Sequence, residues 1–156
     1  MTPVTVLLEA MIVRRFSVTD IHSVMRVVKK SLGETYPPSL YLTLHNIWSD
    51  GFMIGEENGQ IIGLVAAVES EKRVARVLML AVLPEHRGRS YGSTLLKKLE
   101  ERCRAGAFRA IGLEVRKSNM SALSFYERHG FSVSGEIENF YLNGEGAYQM
   151  IKILQS

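Results

Sequence analysis

The feature that most constrains this chain is an almost uninterrupted apolar run at residues 77–83, VLMLAVL, which stops at Pro84. A short basic loop rich in Gly and Ser follows at residues 85–92, EHRGRSYG, and an amphipathic pattern then continues to Gly106. An apolar run of this kind is typical of a strand that is buried on both faces of a sheet. Where a strand passes through a loop into a helix, backbone N–H groups and the helix dipole favour a bound anion. The junction therefore predicts an anion site, although a solvated Arg-Gly-Arg turn has the same composition.

The rest of the chain alternates strands and helices, with hairpins at both ends. Apolar periodicity, caps and turn residues predict strands at 11–16, 73–83, 110–116, 131–138 and 147–154, helices at 17–33, 37–48, 91–105 and 119–130, and a hairpin at 51–70 that turns across 57–59. Gly33, Gly106 and Gly130 are expected to close three of the helices. This order predicts an α/β (mixed α+β) fold, with a central mixed sheet flanked by helices. A ligand is expected beyond the carboxyl ends of its strands.

Length and composition narrow the classes of function. We expect the 156 residues to form one domain, 1–156, in which residues 1–10 are an N-terminal extension and not a signal peptide. No run of 18 apolar residues predicts a membrane span, and a net charge of +3 is weak for a dedicated nucleic-acid binder. A single cysteine, Cys103, with four scattered histidines predicts no internal disulfide and no zinc site, which fits a reducing cytoplasm.

Four segments together resemble the GNAT acetyltransferases. LAVLPEHRGRSYGSTLL, residues 80–96, is similar to the family's acyl-CoA loop, whose signature is Gln/Arg-x-x-Gly-x-Gly/Ala; Ser90 replaces the internal glycine. LEVRKSNMSALSFYERHGF, residues 113–131, is similar to the second signature, in the branch that acetylates protein N-termini. LGETYP, residues 32–37, and FYLNGEGAYQM, residues 140–150, resemble peptide-binding loops of that branch. The resemblance spans residues 11–154.

The resemblance implies acetyl-CoA as cofactor and a GNAT fold, in which the parallel strands at 77–83 and 110–115 splay apart. The cofactor's pyrophosphate would then meet the backbone amides of the loop, and its pantetheine arm would bond to the strand like an added strand. The implied cofactor-binding residues are Leu80, Ala81, Val82, Arg87, Gly88, Arg89, Ser90, Tyr91, Gly92, Asn119 and Tyr126. For Asn119 a plain helix cap is an equal alternative, and both roles are compatible. At Ser90 a positive φ would cost ~1 kcal/mol, whereas a helical φ would cost nothing.

The implied reaction is transfer of the acetyl group to the N-terminal α-amine of a protein or peptide, by direct attack in a ternary complex. Tyr126 corresponds to the family tyrosine that faces the thioester sulfur and acts as a general acid; the alternative is a core aromatic on one stripe with Ala122 and His129. Glu114 corresponds to the glutamate base of the bacterial branch. Strand alternation turns it away from the apolar residues beside it, and the alternative is a salt bridge with Arg116.

Glu34 corresponds to the acidic residue of the archaeal loop, as a second catalytic candidate, and Glu34, Tyr36 and Tyr141 are the implied substrate-binding residues. Ordinary loop polarity is their alternative. Archaeal relatives often carry a histidine where this chain has Arg76, and a guanidinium cannot act as a base. Either Glu114 or Glu34 then serves as base, or Arg76 binds an acidic substrate.

Two other functions remain open at this stage. One is a GNAT acetyltransferase for a lysine side chain or a small-molecule amine, and the other is a non-enzymatic module that binds nucleic acid or acts in a ribosome-bound complex. The second leaves the joint presence of Arg87, Glu114 and Tyr126 unexplained. The expected partners are protein or peptide N-termini, with association with the ribosome as an open alternative, and no membrane or specific nucleic acid. We predict no metal site.

Overall fold

A computed structural model describes residues 11–154 as a mixed sheet with helices packed on it. The predicted N-terminal extension, residues 1–10, lies outside the described residues. The strands are β1 Ile12–Arg15, β2 Phe52–Glu57, β3 Gln60–Glu71, β4 Val74–Val82, β5 Ala110–Arg116, β6 Ser132–Ile137 and β7 Ala147–Ile153. The helices are α1 Ile21–Leu32, α2 Pro38–Ile47, α3 Tyr91–Ala105 and α4 Met120–Arg128. The predicted fold class is confirmed, and the single-domain extent over 1–156 stays a prediction.

The strands form one seven-stranded sheet in the order β1-β2-β3-β4-β5-β7-β6. Every pair is antiparallel except β4–β5, which is parallel because α3 carries the chain across between them. The β2–β3 hairpin turns at Asn58 and Gly59, whose φ values of 51° and 77° are those of a tight turn between twisted strands. The predicted hairpin at residues 51–70 is therefore confirmed.

The central strands β4 and β5 pair over only three residues each. Val74, Ala75 and Arg76 lie opposite Ala110, Ile111 and Gly112, and the two strands are unpaired beyond that point. The register between β3 and β4 shifts just there, because Ala66 opposes Met79 while Ala67 opposes Val77. Leu78 is thus the extra residue of a bulge, and a bulge bends its strand. The bend opens a fork between β4 and β5, as the family resemblance implied.

The helices cover the sheet with apolar side chains and end largely where the sequence indicated. Gly33 and Gly130 end α1 and α4 with left-handed φ values of 71° and 91°. Gly106 ends α3 as expected, although its φ is −87° and the left-handed residue is the next one, Ala107, at 59°. Cys103 is buried in α3, where burial raises the pKa of its thiol to about 12. Within residues 11–154, no helix is both long and apolar enough to cross a membrane.

Candidate active site

A cleft of about 640 Å³ begins at the fork. The end of β4, the loop after it and one side of α4 line the cleft, with residues Leu80, Ala81, Val82, His86, Arg87, Gly88, Ser90, Tyr91, Gly92, Ser93, Ser121, Ala122, Phe125 and Tyr126 among its walls. Most of the predicted cofactor-binding residues are therefore brought together. Arg89 and Asn119 are predicted members that do not line the cleft.

The edge of β4 that faces the fork presents unpaired backbone groups. The Leu83 N–H donates to the Ile62 carbonyl of β3 at 2.8 Å, so the backbone of Leu83 points towards β3. Backbone direction alternates along an antiparallel strand. The backbone of Ala81 therefore also faces β3, whereas that of Leu80 and Val82 faces the fork. Of the three residues predicted to bond to a pantetheine arm, only Leu80 and Val82 direct their main chain towards the fork. The Val82 carbonyl already accepts from the Ser31 hydroxyl and from Arg87 Nε, both at 3.1 Å, so the free group of Val82 is its N–H.

The loop at 87–92 has the geometry of an anion site. Gly88 has a φ of 80°, and Ser90 has a φ of 64° and a ψ of 20°, directly before the right-handed first turn of α3. A left-handed residue followed by a right-handed one turns successive N–H groups towards one point. The amides of residues 88–93 make no hydrogen bond within residues 11–154, and the first amide that does is that of Thr94, to Ser90. Six free donors therefore surround one end of the cleft.

The φ of Ser90 decides between the two alternatives that the sequence left open, a costly positive φ and a helical φ without cost. The position is left-handed, so the Cβ of Ser90 carries a conformational cost that glycine would not. The Ser90 hydroxyl makes no capping hydrogen bond in compensation. It is free to contact a phosphate oxygen.

The two arginines of the loop point in different directions. Arg87 folds back onto the strand, where its Nε donates to the Val82 carbonyl at 3.1 Å. Arg89 reaches under the loop instead, and its Nη1 donates to Oε1 of Glu57 at 3.1 Å. Glu57 was not anticipated from the sequence, because a carboxylate just before an Asn-Gly turn looks like ordinary turn polarity. Only its burial, with 8% of the residue exposed, distinguishes it.

Helix α4 forms the opposite wall and is anchored at both ends. Oδ1 of Asn119 accepts from the Ala122 amide at 3.1 Å, so Asn119 is a helix cap as one alternative expected. At the other end, the His129 ring lies between the Phe125 carbonyl, 2.7 Å from Nδ1, and the Ser93 hydroxyl, 2.8 Å from Nε2. The C-terminal end of α4 is thereby tied to α3 through Ser93.

Tyr126 lies where the cleft meets the fork. Its ring packs edge-on against Phe125 and Phe131, with centroids 5.2 Å and 5.5 Å away, so the core alternative accounts for the ring. The ring also lines the cleft. Burial raises the pKa of Tyr126 to about 12, and the phenol is therefore protonated at neutral pH. It can donate a hydrogen bond, and it cannot act as a base.

The far side of the fork holds a charged pair that sequence reasoning treated as two separate residues. Nε and Nη2 of Arg76 both donate to Oε1 of Glu114, at 2.8 Å and 2.6 Å. The Arg76 side chain is 41% exposed and that of Glu114 is 15% exposed. Glu114 does alternate out of the packed face of β5, since Leu113 and Val115 are buried. The alternative of a Glu114–Arg116 salt bridge is wrong, because Arg116 pairs with Glu145 at 3.2 Å.

Tyr141 joins the same region from the loop before β7. The Arg116 guanidinium lies 3.8 Å from its ring centroid, a cation–π contact that fixes the ring. Burial and the nearby Glu114 carboxylate both raise the pKa of Tyr141, and Arg116 opposes them. Glu34 and Tyr36 lie between α1 and α2, with Glu34 exposed and Tyr36 half-buried. Burial is the main cause that raises the pKa of Tyr36, and the Glu34 charge adds to it.

Comparison with known proteins identifies the family of this chain. Residues 21–131 match the family described as the acetyltransferase (GNAT) family. The chain belongs to the GNAT acetyltransferases. An uncharacterized N-acetyltransferase of Methanocaldococcus jannaschii is 33% identical over 143 residues, which cover 91% of each chain. N-alpha-acetyltransferase 30 of Schizosaccharomyces pombe is 27% identical over 132 residues, 82% of this chain and 88% of that protein.

A solved structure agrees over nearly the whole chain. The crystal structure of Ard1 from Thermoplasma volcanium has a TM-score of 0.89 and 33% identity, and the match covers 94% of this chain and 99% of that one. The predicted family is thereby confirmed, and with it the prediction of an acetyl-CoA-dependent N-acetyltransferase.

Acetyl-CoA, the acetyl donor of GNAT enzymes, fits the residues of this cleft. The free amides of residues 88–93 offer donors to phosphate oxygens, and the backbone of Leu80 with the N–H of Val82 suits an amide-bearing arm. A volume of about 640 Å³ is typical of a cofactor site. The individual cofactor contacts of Arg87, Arg89, Ser90 and Asn119 remain predictions.

Proposed function

We propose that this GNAT enzyme transfers the acetyl group of acetyl-CoA to the N-terminal α-amine of proteins or peptides, by direct attack within a ternary complex. The observation that carries the proposal is the fork between β4 and β5. The free amides of the loop and Tyr126 line the cleft, which would be the cofactor side, whereas the Arg76–Glu114 pair and Tyr141 do not line it and would form the acceptor side. Relatives that match most of the chain are named N-alpha-acetyltransferases, which supports the same acceptor.

The acceptor amine decides how much basicity the site must supply. An α-amine has a pKa near 8, so about one molecule in ten is neutral at pH 7, whereas a lysine amine with a pKa of ~10.4 is neutral in about one in two thousand. The difference of ~2.4 pKa units corresponds to ~3 kcal/mol of deprotonation. An α-amine therefore requires less of a single carboxylate than a lysine amine does.

Glu114 is the proposed base. Arg76 occupies Oε1 only, so Oε2 remains available to accept a proton from the amine, directly or through one water. The two donors from Arg76 restrain the carboxylate, which would keep that free oxygen in one direction for the amine. Arg76 keeps its own proton and positions the base; it does not replace it. Glu34, exposed at the opposite rim, is the second candidate.

Tyr126 is the proposed donor to the departing sulfur. A thiol has a pKa of roughly 8.5 and the phenol about 12, so complete proton transfer from phenol to thiolate is unfavourable. The hydroxyl is therefore suited to stabilise the developing thiolate by a hydrogen bond. The proton that the thiol finally gains can come from the amine, which must lose one to form the amide.

Tyr36 and Tyr141 are the proposed walls of the acceptor slot, together with the exposed part of Leu78, which is 41% exposed at the bulge of β4. Tyr141 is braced by Arg116, and Arg116 in turn by Glu145, whose Oε2 also accepts the Ser118 amide at 3.0 Å. Loops from both ends of the chain would thus approach the fork. A main-chain terminus enters such a slot more easily than a side chain on a continuous backbone.

The test is mass spectrometry of a peptide that carries a free N-terminus and an internal lysine, incubated with the enzyme and acetyl-CoA. The expected product carries its acetyl group on the α-amine, and Glu114→Gln should slow its formation. Glu100→Gln is the matched control, because Glu100 of α3 is also a paired carboxylate, bound to Arg104 of the same helix and to Lys152 of β7, and it does not line the cleft. Acetylation mainly of the lysine would support the alternative acceptor, a lysine side chain or small amine, and would refute the proposed one.

A further inference from the structure

Glu57 has no place in the chemistry described so far, yet it is one of only two buried charged or polar residues within residues 11–154. It ends β2, two strands away from the β4–β5 fork, and its carboxylate lies directly beneath the loop at 87–92. A carboxylate that is shielded from solvent needs partners that compensate its charge, and Glu57 has them.

Three side chains from the loop and from the start of α3 converge on this carboxylate. The Tyr91 hydroxyl donates a hydrogen bond to Oε2, and Nη1 of Arg89 donates to Oε1 at 3.1 Å. Nδ1 of His86 lies 3.4 Å from the same Oε1. The three residues flank or belong to the segment whose amides are free, and Arg89 also lies over the Tyr91 ring, 4.9 Å from its centroid.

The charge states suit these contacts. The hydrogen bond from Tyr91, followed by the charge of Arg89, lowers the pKa of Glu57, so the carboxylate is ionised at neutral pH. The same hydrogen bond raises the pKa of Tyr91, whose hydroxyl therefore remains a donor. Both bonds are charge-assisted, the stronger class of hydrogen bond in proteins.

The geometry points to Glu57 as a positioning residue for the cofactor: it holds Arg89 and Tyr91 so that the amides of the loop between β4 and α3 stay arranged for the pyrophosphate. This inference rests on the proposed binding of acetyl-CoA at that loop. It assigns Arg89 to the support of the loop rather than to a phosphate contact. It also explains why a negative charge is kept so close to a site for an anion.

The sign of the effect separates this role from simple electrostatics. If Arg89 served as a phosphate ligand that Glu57 merely neutralises, then Glu57→Gln would free the guanidinium and tighten cofactor binding. If Glu57 holds the loop, the same change lets the loop leave its binding conformation, and the apparent Kd rises in inverse proportion to the remaining competent fraction. Loss of one charge-assisted hydrogen bond corresponds to a rise of about tenfold.

The experiment is calorimetric titration of the intact protein with coenzyme A, together with steady-state kinetics. Glu57→Gln should raise the Kd of coenzyme A and the KM of acetyl-CoA about tenfold, while kcat and the KM of the peptide change much less. Glu56→Gln is the matched control, since Glu56 precedes Glu57 on β2 but pairs with Arg14, away from the loop. It should leave the Kd unchanged.

Tyr91→Phe provides an independent arm that does not alter the buried charge. It should also raise the Kd of coenzyme A. In the double variant with Glu57→Gln, the Kd should rise by less than the product of the two single increases, because the two groups share one contact. An unchanged or lower Kd in Glu57→Gln, with wild-type binding intact, would overturn this role alone. Wild-type protein that does not bind coenzyme A would overturn the proposed cofactor site as well.

Discussion

Replacing Ser90 by glycine should stabilise this protein, although serine is the native residue at the entrance of its cofactor loop. Ser90 has a φ of 64° and a ψ of 20°, a conformation that costs a residue with a Cβ roughly 1–2 kcal/mol. Its hydroxyl makes no capping bond, so no such contact is lost with it. Glycine has more freedom in the unfolded chain, which offsets ~0.4–1 kcal/mol of the gain. From the middle of each range, the net gain is ~0.8 kcal/mol.

Differential scanning calorimetry can resolve a change of this size. For a chain of this length, ~1 kcal/mol shifts Tm by about 2–4 °C, so Ser90→Gly should unfold about 1–4 °C higher than the wild type. Ser90→Ala is the matched control, because it removes the hydroxyl but keeps a Cβ at the same positive φ. It should give no gain. A glycine variant no more stable than the alanine variant would refute the argument from backbone conformation.

The same pair of variants separates conformation from phosphate binding. If the Ser90 hydroxyl contacts a phosphate oxygen, both variants should bind coenzyme A more weakly by a similar factor, because both lack the hydroxyl. Loss in the alanine variant alone would instead assign the effect to the loop's backbone. Isothermal titration at fixed salt distinguishes the two outcomes.

Further predictions concern the two sides of the fork. Saturating coenzyme A, at ~100 times its Kd, should stabilise the fold by ~2.7 kcal/mol, and Arg87→Glu should abolish the Tm shift by placing a negative charge beside the phosphates. Tyr126→Phe should lower kcat by about 10²-fold or more while the Kd of coenzyme A changes little, since the ring still packs on Phe125 and Phe131. Because burial raises the pKa of Tyr126 to about 12, the phenol stays protonated through pH 10. A wild-type rate that falls as the pH rises towards 10, with no such fall in the phenylalanine variant, would contradict this role. Arg76→Gln should lower kcat/KM about tenfold or more by releasing the Glu114 carboxylate, whereas Arg109→Gln, a control that removes an exposed pair with Glu71, should have no effect. Equal kinetics for the two arginine variants would exclude a positioning role for Arg76.

Much of the fold could be predicted because its signals are local. The apolar run at 77–83 indicated a central strand, and Asn58-Gly59 indicated a hairpin, because burial on both faces and a tight turn each require particular residues at consecutive positions. The free amides of the loop at 87–92 also follow from a local rule, since the first turn of any helix leaves its N–H groups without partners. Gly106 also ends α3 as the sequence indicated, although the left-handed conformation falls on the neighbouring Ala107.

The charged partners at the site could not be predicted in this way. Arg76 and Glu114 are 38 residues apart, and Glu57 and Tyr91 are 34 apart. Strand alternation indicates only which side of β5 Glu114 faces. Several basic residues could therefore have been its partner, including Arg116 on the same side of β5. Arg116 instead pairs with Glu145 on the loop before β7.

The sequence by itself determined the elements, the family and the loop that would hold the cofactor, because periodicity, caps and motifs act over a few neighbouring residues. Only the tertiary structure decided how the charges are shared: the parallel contact of β4 with β5 brings Arg76 to Glu114, and the adjacency of β2 to the loop brings Glu57 to Arg89 and Tyr91. It also decided the left-handed conformation of Ser90, which the motif alone left open. The physical reason is that the energy of a buried charge depends on which strand lies beside it, and strand order is set by the packing of the whole sheet.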